Sequence, residues 1–201
     1  MLAITCVVAS ALVSCSGKLG RADDIDLSEA PVQKVEGMFA VQTKRGEVSM
    51  RIEAPVLEKY VLDTLSYDFF PEGLKVFGYT DDGILETIIV SDKARHETPN
   101  KKDADEIWEA YGNVVIHNVV KQQTMETDTI YWDRTLSEIY TDCYVKMYSP
   151  DGFMQGYGMR SDDRARNAIL NNPFNSYSVS EKDTTVVMLD SVNFIGPFIK
   201  K

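Results

Sequence analysis

Residues 108–133, WEAYGNVVIHNVVKQQTMETDTIYWD, alternate apolar and polar side chains on either side of a short polar break. Trp108, Ala110, Val114 and Ile116 fall on one side, and Glu109, Asn113 and His117 on the other. A period of two is that of a strand with one dry face and one wet face. The same pattern appears upstream, where Val48, Met50, Ile52 and Ala54 alternate with Ser49, Arg51 and Glu53. It returns downstream, where Cys143, Val145 and Met147 alternate with Tyr144, Lys146 and Tyr148. Gly, Asp, Asn and Pro separate these runs, so the chain reads as all-β from about Gly37 onward. Pro55 to Leu65 has a faint helical flavour but carries Val61 and Thr64 and no capping box, so it reads as a turn plus a strand.

Stacking the runs exposes a repeat. Leu74-Lys75-Val76-Phe77 leads through Asp82-Gly83 to Ser91-Asp92-Lys93-Ala94; Val114-Val115-Ile116 leads through Lys121 to Thr127-Asp128-Thr129-Ile130; Val145-Lys146-Met147 leads through Asp151-Gly152 to Ser161-Asp162-Asp163-Arg164. Asp92, Asp128 and Asp162 lie 36 and 34 residues apart, and each Ser/Thr-Asp step suits a corner where side-chain oxygens relieve an interrupted ladder. A lone hairpin cannot bury its apolar face, so the copies are expected to continue one sheet and build a long sandwich. The carboxylates are a full unit apart, without the dense Asp pattern of a calcium loop.

Composition narrows the function. Twenty-one basic against 31 acidic residues leave a net charge of −10 in 201 residues, which disfavours binding to nucleic acid through a broad basic surface. Three Cys, at 6, 15 and 143, and two His lack the spacing of a zinc site, and no cofactor is indicated. No Gly-x-Ser-x-Gly elbow accompanies His96 or His117, both read as surface residues. Glu97, Asp103, Asp105 and Glu106 lie in the polar stretch HETPNKKDADEI and read as a solvated loop. Gly156-Tyr157-Gly158 sits within a strand pattern, where such glycines mark a bulge or a close backbone approach rather than a phosphate cradle. No catalytic residue stands out, and the chain does not read as an enzyme.

The N-terminus adds a location. Residues 1–14, MLAITCVVASALVS, carry no charge and end in Leu12-Val13-Ser14-Cys15, which resembles a lipobox: a signal peptide over 1–14 and a lipidated Cys15. Residues 15–36 then read as a flexible tether rich in Gly, Pro and acidic side chains, and 37–201 as the folded domain, whose only thiol is Cys143.

Taken with that anchor, Ile52-Glu53-Ala54-Pro55, Val90-Ser91-Asp92-Lys93-Ala94, Trp108 to Val114, Glu126 to Asp133 and Gly156 to Asp162 resemble the LptC family, the periplasmic component of the lipopolysaccharide export system with its ABC transporter. The likeness covers Gly37 to Leu170, and "GNV" followed by "TD…YWD" is its most specific part. Many members carry a transmembrane helix where this chain has the lipobox. The resemblance implies an open, twisted β-jelly roll of the OstA-like kind whose apolar interior receives lipopolysaccharide acyl chains. It also implies partners joined through strand edges: an OstA-like periplasmic bridge protein and inner-membrane ABC transporter subunits. The expected groove residues are the inward apolar set Met50, Ile52, Val76, Ile88, Trp108, Val114, Ile116, Ile130, Val145 and Met147, with Trp132 assigned to the core. Met125, Met154 and Met159 extend the choice of adaptable lining. A different class of function, a cell-envelope lipoprotein that binds glycans or scaffolds assembly, would instead use wet-face aromatics such as Tyr111, Tyr131, Tyr144 and Tyr148.

Overall fold

A computed structural model describes residues 30–63, 65–99, 106–179, 185–189 and 197–199; the expected signal peptide, Cys15 and most of the tether lie outside them. The described residues form fourteen strands: β1 (Gln33–Lys44), β2 (Glu47–Val61), β3 (Leu65–Phe70), β4 (Leu74–Tyr79), β5 (Leu85–Ser91), β6 (Lys93–Pro99), β7 (Ile107–Asn118), β8 (Gln123–Asp133), β9 (Glu138–Ser149), β10 (Gly152–Asp162), β11 (Ile169–Pro173), β12 (Ser176–Val179), β13 (Thr185–Leu189) and β14 (Pro197–Ile199). All belong to one antiparallel sheet, and the described residues contain no helix. The all-β jelly-roll expectation therefore holds. The first strand opens at Gln33, four residues before the expected Gly37, because Val35 already pairs with Leu57. β2 continues as one strand through Pro55 to Val61, with no turn between.

Every long strand bends at the same level. β2 pairs with β4 through Met50–Glu53 and with β3 through Glu58–Val61. β7 pairs with β5 through Val115–Asn118 and with β6 through Ile107–Tyr111. The sheet is thus creased across its strands into two wings that face each other over one core. A first wing holds β4, β5 and the 114–118 half of β7; a second holds β3, β6 and the 107–111 half. The crease runs through Pro55, Asp92, Gly112-Asn113, Asp128 and Gly158, where the ladders slip register or change partner. At Gly112 (φ +76°) and Asn113 (φ +47°) the chain takes the left-handed conformation that a sharp bend requires. The Asp92 N–H donates to Gly112 O at 2.9 Å, and Asn113 Nδ2 donates to Asp92 Oδ2 at 2.6 Å, which locks the bend.

Asp92 and Asp128 therefore mark the crease as the repeat suggests, but Asp162 does not. It caps the turn after β10, accepting N–H groups from Arg164 (3.3 Å) and Arg166 (2.8 Å), while the crease of β10 falls at Gly158 (φ +80°). The crease also shifts the alternation. Along β8 the inward residues are Met125 and Thr127 before it and Ile130 and Trp132 after it; along β7, Trp108, Ala110, Val114 and Ile116 keep one parity throughout.

Candidate functional site

The inward face of the first wing is one row across seven strands: Ile52, Val76, Ile89, Ile116, Met125, Met147 and Met154 stand opposite one another from β2 to β10. Ile116 and Met125 are fully buried at its centre. Burying side chains of this size contributes about 1.5–3 kcal/mol each, so the row anchors the wings to each other. On the outward face runs the companion row Arg51, Phe77, Ile88, His117, Thr124, Tyr148, Phe153 and Tyr177.

That pairing corrects one expected groove residue. Ile88 lies between Phe77 and His117 on the outside, and its neighbour Ile89 takes the inward place between Val76 and Ile116. The run Ile88-Ile89-Val90 is apolar at every position, so alternation alone did not choose a face, and the ladder did. Of the other expected residues, Ile52, Val114, Ile116, Ile130, Val145 and Met147 are buried together in the core, as are Met125 and Met159; Trp108 and Met154 pack half-buried against it.

Met50 and Val76 instead line an open cleft. This cavity of about 250 Å³ lies where the wings part on the side away from the crease. Its floor is Met50, Val76, Gly78, Thr87 and Ile89 from the first wing and Trp132 from the second, so Trp132 is not simply core. Gln42, Ser49 and Tyr79, with Arg134, Ser137, Asp163, Arg164 and Lys44, complete the lining. Sequence patterns pointed to none of these last five, because turn residues and strand ends have no period to betray them.

The far side of the cleft is closed by the turn 163–168, which crosses from the second wing to the rim of the first. Thr87 Oγ1 donates to Arg164 O at 2.5 Å, Asn118 Nδ2 to Ala165 O at 3.3 Å, and Lys121 Nζ to Arg166 O. Arg164 adds ion pairs to Asp81 (3.2 Å) and Glu86 (3.9 Å), and Ala165 is fully buried. This strap leaves the opening on the β1–β5 flank.

Beside that opening the second wing presents an inward row of different chemistry: Asp68, His96, Trp108, Trp132 and Ile139. His96, expected at the surface, is stacked on Trp108 with ring centres 4.2 Å apart; its Nε2 lies 3.0 Å from Glu106 and its Nδ1 3.6 Å from Asp68. The side chain of Glu106, in the segment before β7, is 39% exposed and also holds Arg134 at 3.0 Å, while Asp103 and Asp105 lie outside the described residues. His117 is outward and bonded to Thr124 Oγ1 at 2.9 Å. The indole N–H groups of Trp108 and Trp132 are buried and have no acceptor among the described residues.

The His96 imidazole facing Asp68 holds that carboxyl below the usual aspartate range; burial opposes the shift and Lys59, 3.6 Å away, adds to it. A depressed folded-state pKa means that the stabilisation is present above the unfolded value of about 3.9 and is lost as the pH falls through the folded value. The urea midpoint of the wild-type protein is therefore expected to drop more steeply between about pH 5 and pH 3 than that of Asp68→Asn. Equal slopes would show that this pair carries no linkage.

Among the described residues no group of three or more His, Cys, Asp or Glu is arranged to hold a metal, and no helix is long and apolar enough to cross a membrane. Residues 1–176 match a family described as lipopolysaccharide-assembly, LptC-related. The chain belongs to the LptC family. The comparison with curated proteins gives no match. Membership gives the chain a role in lipopolysaccharide transport, in a family that is non-enzymatic, periplasmic and associated with the envelope. It fits an antiparallel sheet creased over an apolar interior, and the LptC fold here keeps two unlike faces. Outward, Tyr131 stacks on Tyr140, Tyr144 packs on Tyr157 and Phe174, and Tyr148 packs on Phe153. Those wet-face aromatics therefore largely contact one another.

Proposed function

We propose that this LptC chain takes up acyl chains of lipopolysaccharide in the cleft between its wings and passes them along a bridge of similar folds joined edge to edge. The cleft itself carries the reading: an apolar floor contributed by both wings, continuous with the core, and open on one flank. Each methylene leaving water there contributes about 0.8 kcal/mol, so acyl chains are held without any covalent step. Met50 and Val76 meet the lipid first. Ile52, Trp108, Val114, Ile116, Ile130, Val145 and Met147 are reached only when the wings part, and the adaptable thioethers of Met125 and Met147 suit that deformation. The two orphaned indole N–H groups supply donors for ester or hydroxyl oxygens at the base of the chains.

The edges supply the partners. Among the described residues β1 pairs only with β2, so its outer side presents backbone groups unpaired by them over twelve residues, with Phe39 (63% exposed) and Val41 (46%) beside them. An exposed edge of that length is a template for another chain's strand. In this reading the β1 edge and the C-terminal edge join the transporter subunits and the OstA-like bridge protein. Cys15 carries the lipid anchor, which holds the chain at the inner membrane. No energy source is needed in the chain, because the ABC transporter supplies it.

Adjacent residues test the cleft. A photo-crosslinking amino acid at position 89 faces the interior, whereas one at position 88 on the same strand faces out. Labelled lipopolysaccharide is expected to be captured from 89 and not from 88. Capture from 88 alone, or equally from both, refutes the cleft.

A further inference from the structure

The cleft lining has the opposite charge balance from the chain. The whole protein carries −10, yet the lining brings together Lys44, Arg134 and Arg164 against the single carboxylate of Asp163. These cations come from three separate elements: the end of β1, the turn after β8 and the strap. Convergence of like charges costs Coulomb energy unless anions offset it, and here carboxylates do: Glu106 pairs with Arg134, Asp81 and the buried Glu86 pair with Arg164, and Asp81 also feels Lys44. Glu106 meets Arg134 through one nitrogen, and Asp81 and Glu86 meet Arg164 through two, so each guanidinium fork keeps donors beyond those contacts. Arg134 is also held over Trp132, its Cζ 5.5 Å from the ring centre, directly above the apolar floor. Planar cations poised over a greasy cavity match an amphiphile whose polar end is anionic and whose other end is apolar.

We propose that Lys44, Arg134 and Arg164 form an anion-recognition rim that binds phosphate on the headgroup of a lipid whose chains occupy the cleft. This inference rests on the reading of the cleft as an acyl-chain site and adds to it a selectivity that the apolar floor lacks. The phosphate takes up the free donors of the two forks and the Lys44 ammonium, bridging β1, the second wing and the strap. Because Arg164 belongs to the strap and pairs with Asp81 and Glu86, a bound phosphate competes with those carboxylates for it and couples headgroup binding to the hold of the strap on the first wing.

The test measures binding of the full-length chain in neutral detergent to bis-phosphorylated lipid A, to the same lipid A with both phosphates removed, and to inorganic phosphate alone. The wild type is expected to prefer the phosphorylated lipid at least tenfold, with the preference shrinking as sodium chloride is raised. In Lys44→Gln/Arg134→Gln, whose unfolding midpoint is checked first, the preference is expected to fall below threefold. Equal wild-type affinity for the two lipids, with both still crosslinked from position 89, overturns the rim and leaves the cleft standing. A preference that survives in the double variant also overturns it. Inorganic phosphate binding that the variant weakens, without any lipid preference, makes the rim a site for free anions and overturns the lipid assignment. Failure of both lipids to crosslink from 89 removes the cleft and the rim together.

Discussion

Ile116→Ala is expected to lower the unfolding free energy by about 2–5 kcal/mol, and Ile88→Ala by about 1 kcal/mol or less. Both positions lie in apolar runs of neighbouring strands, and both belong to the set expected to face inward. In the folded chain Ile116 is completely buried at the centre of the seven-strand inward row, between Ile89 and Met125. Truncation there loses the transfer energy of the deleted methyl and methylene groups and opens a void that walls from two wings cannot both collapse to fill. Ile88 stands on the outer surface beside Phe77, where solvent replaces whatever is removed. Urea denaturation with unchanged m-values measures the difference. Similar losses at the two positions would mean that the inward and outward rows have been assigned wrongly.

Gly156→Val is expected to free the C-terminal edge. A Cβ at position 156 would lie 2.6 Å from the carbonyl oxygen of Asn172 and 2.9 Å from Leu170 Cδ2, and valine adds two methyl groups beyond it. The clash is with backbone, so no rotamer relieves it, and β11 must leave β10 at the Gly156–Pro173 pair. Leu170, buried in the core cluster, is drawn out with it. Hydrogen-exchange protection across residues 169–179 is expected to fall about a hundredfold or more, roughly 3 kcal/mol, while β2, β5 and β7 keep theirs. Gly46→Ala is the control: with φ +91° but nothing within 4 Å of a Cβ, it should cost only about 1 kcal/mol. If the proposed bridge joins through this edge, Gly156→Val also loses its periplasmic partner while still binding lipid in the cleft.

Local pattern carried much of the architecture. Trp108, Ala110, Val114 and Ile116 showed a strand with one dry face because β7 keeps its parity through the crease. Gly156-Tyr157-Gly158 showed a close approach and a bulge, and both are present. Asp92 and Asp128 marked the bend, since a side chain that accepts hydrogen bonds is useful wherever a ladder breaks. Asp162 imitated them because a turn cap needs the same chemistry. Ile88 was misplaced because β5 is apolar on both faces at that level and only its register on β4 and β7 decides between them. The cleft was the least legible part. Its floor belongs to two wings that meet only after folding, and Lys44, Arg134 and Arg164 sit at strand ends and turns, where no periodicity distinguishes a working cation from a solubilising one. Trp132 looked like ordinary core for the related reason that an indole fills a packed interior and lines an opening equally well.

The crease limits how such a molecule can change in size. Inward parity switches across it on β8 but not on β7, so only two successive strands together restore the starting frame. Lineages that lengthen or shorten the jelly roll should therefore do so in increments of one hairpin, close to the 36 residues between Asp92 and Asp128. Gain of a lone strand would leave every later segment half inverted, with carboxylates turned toward the hydrocarbon.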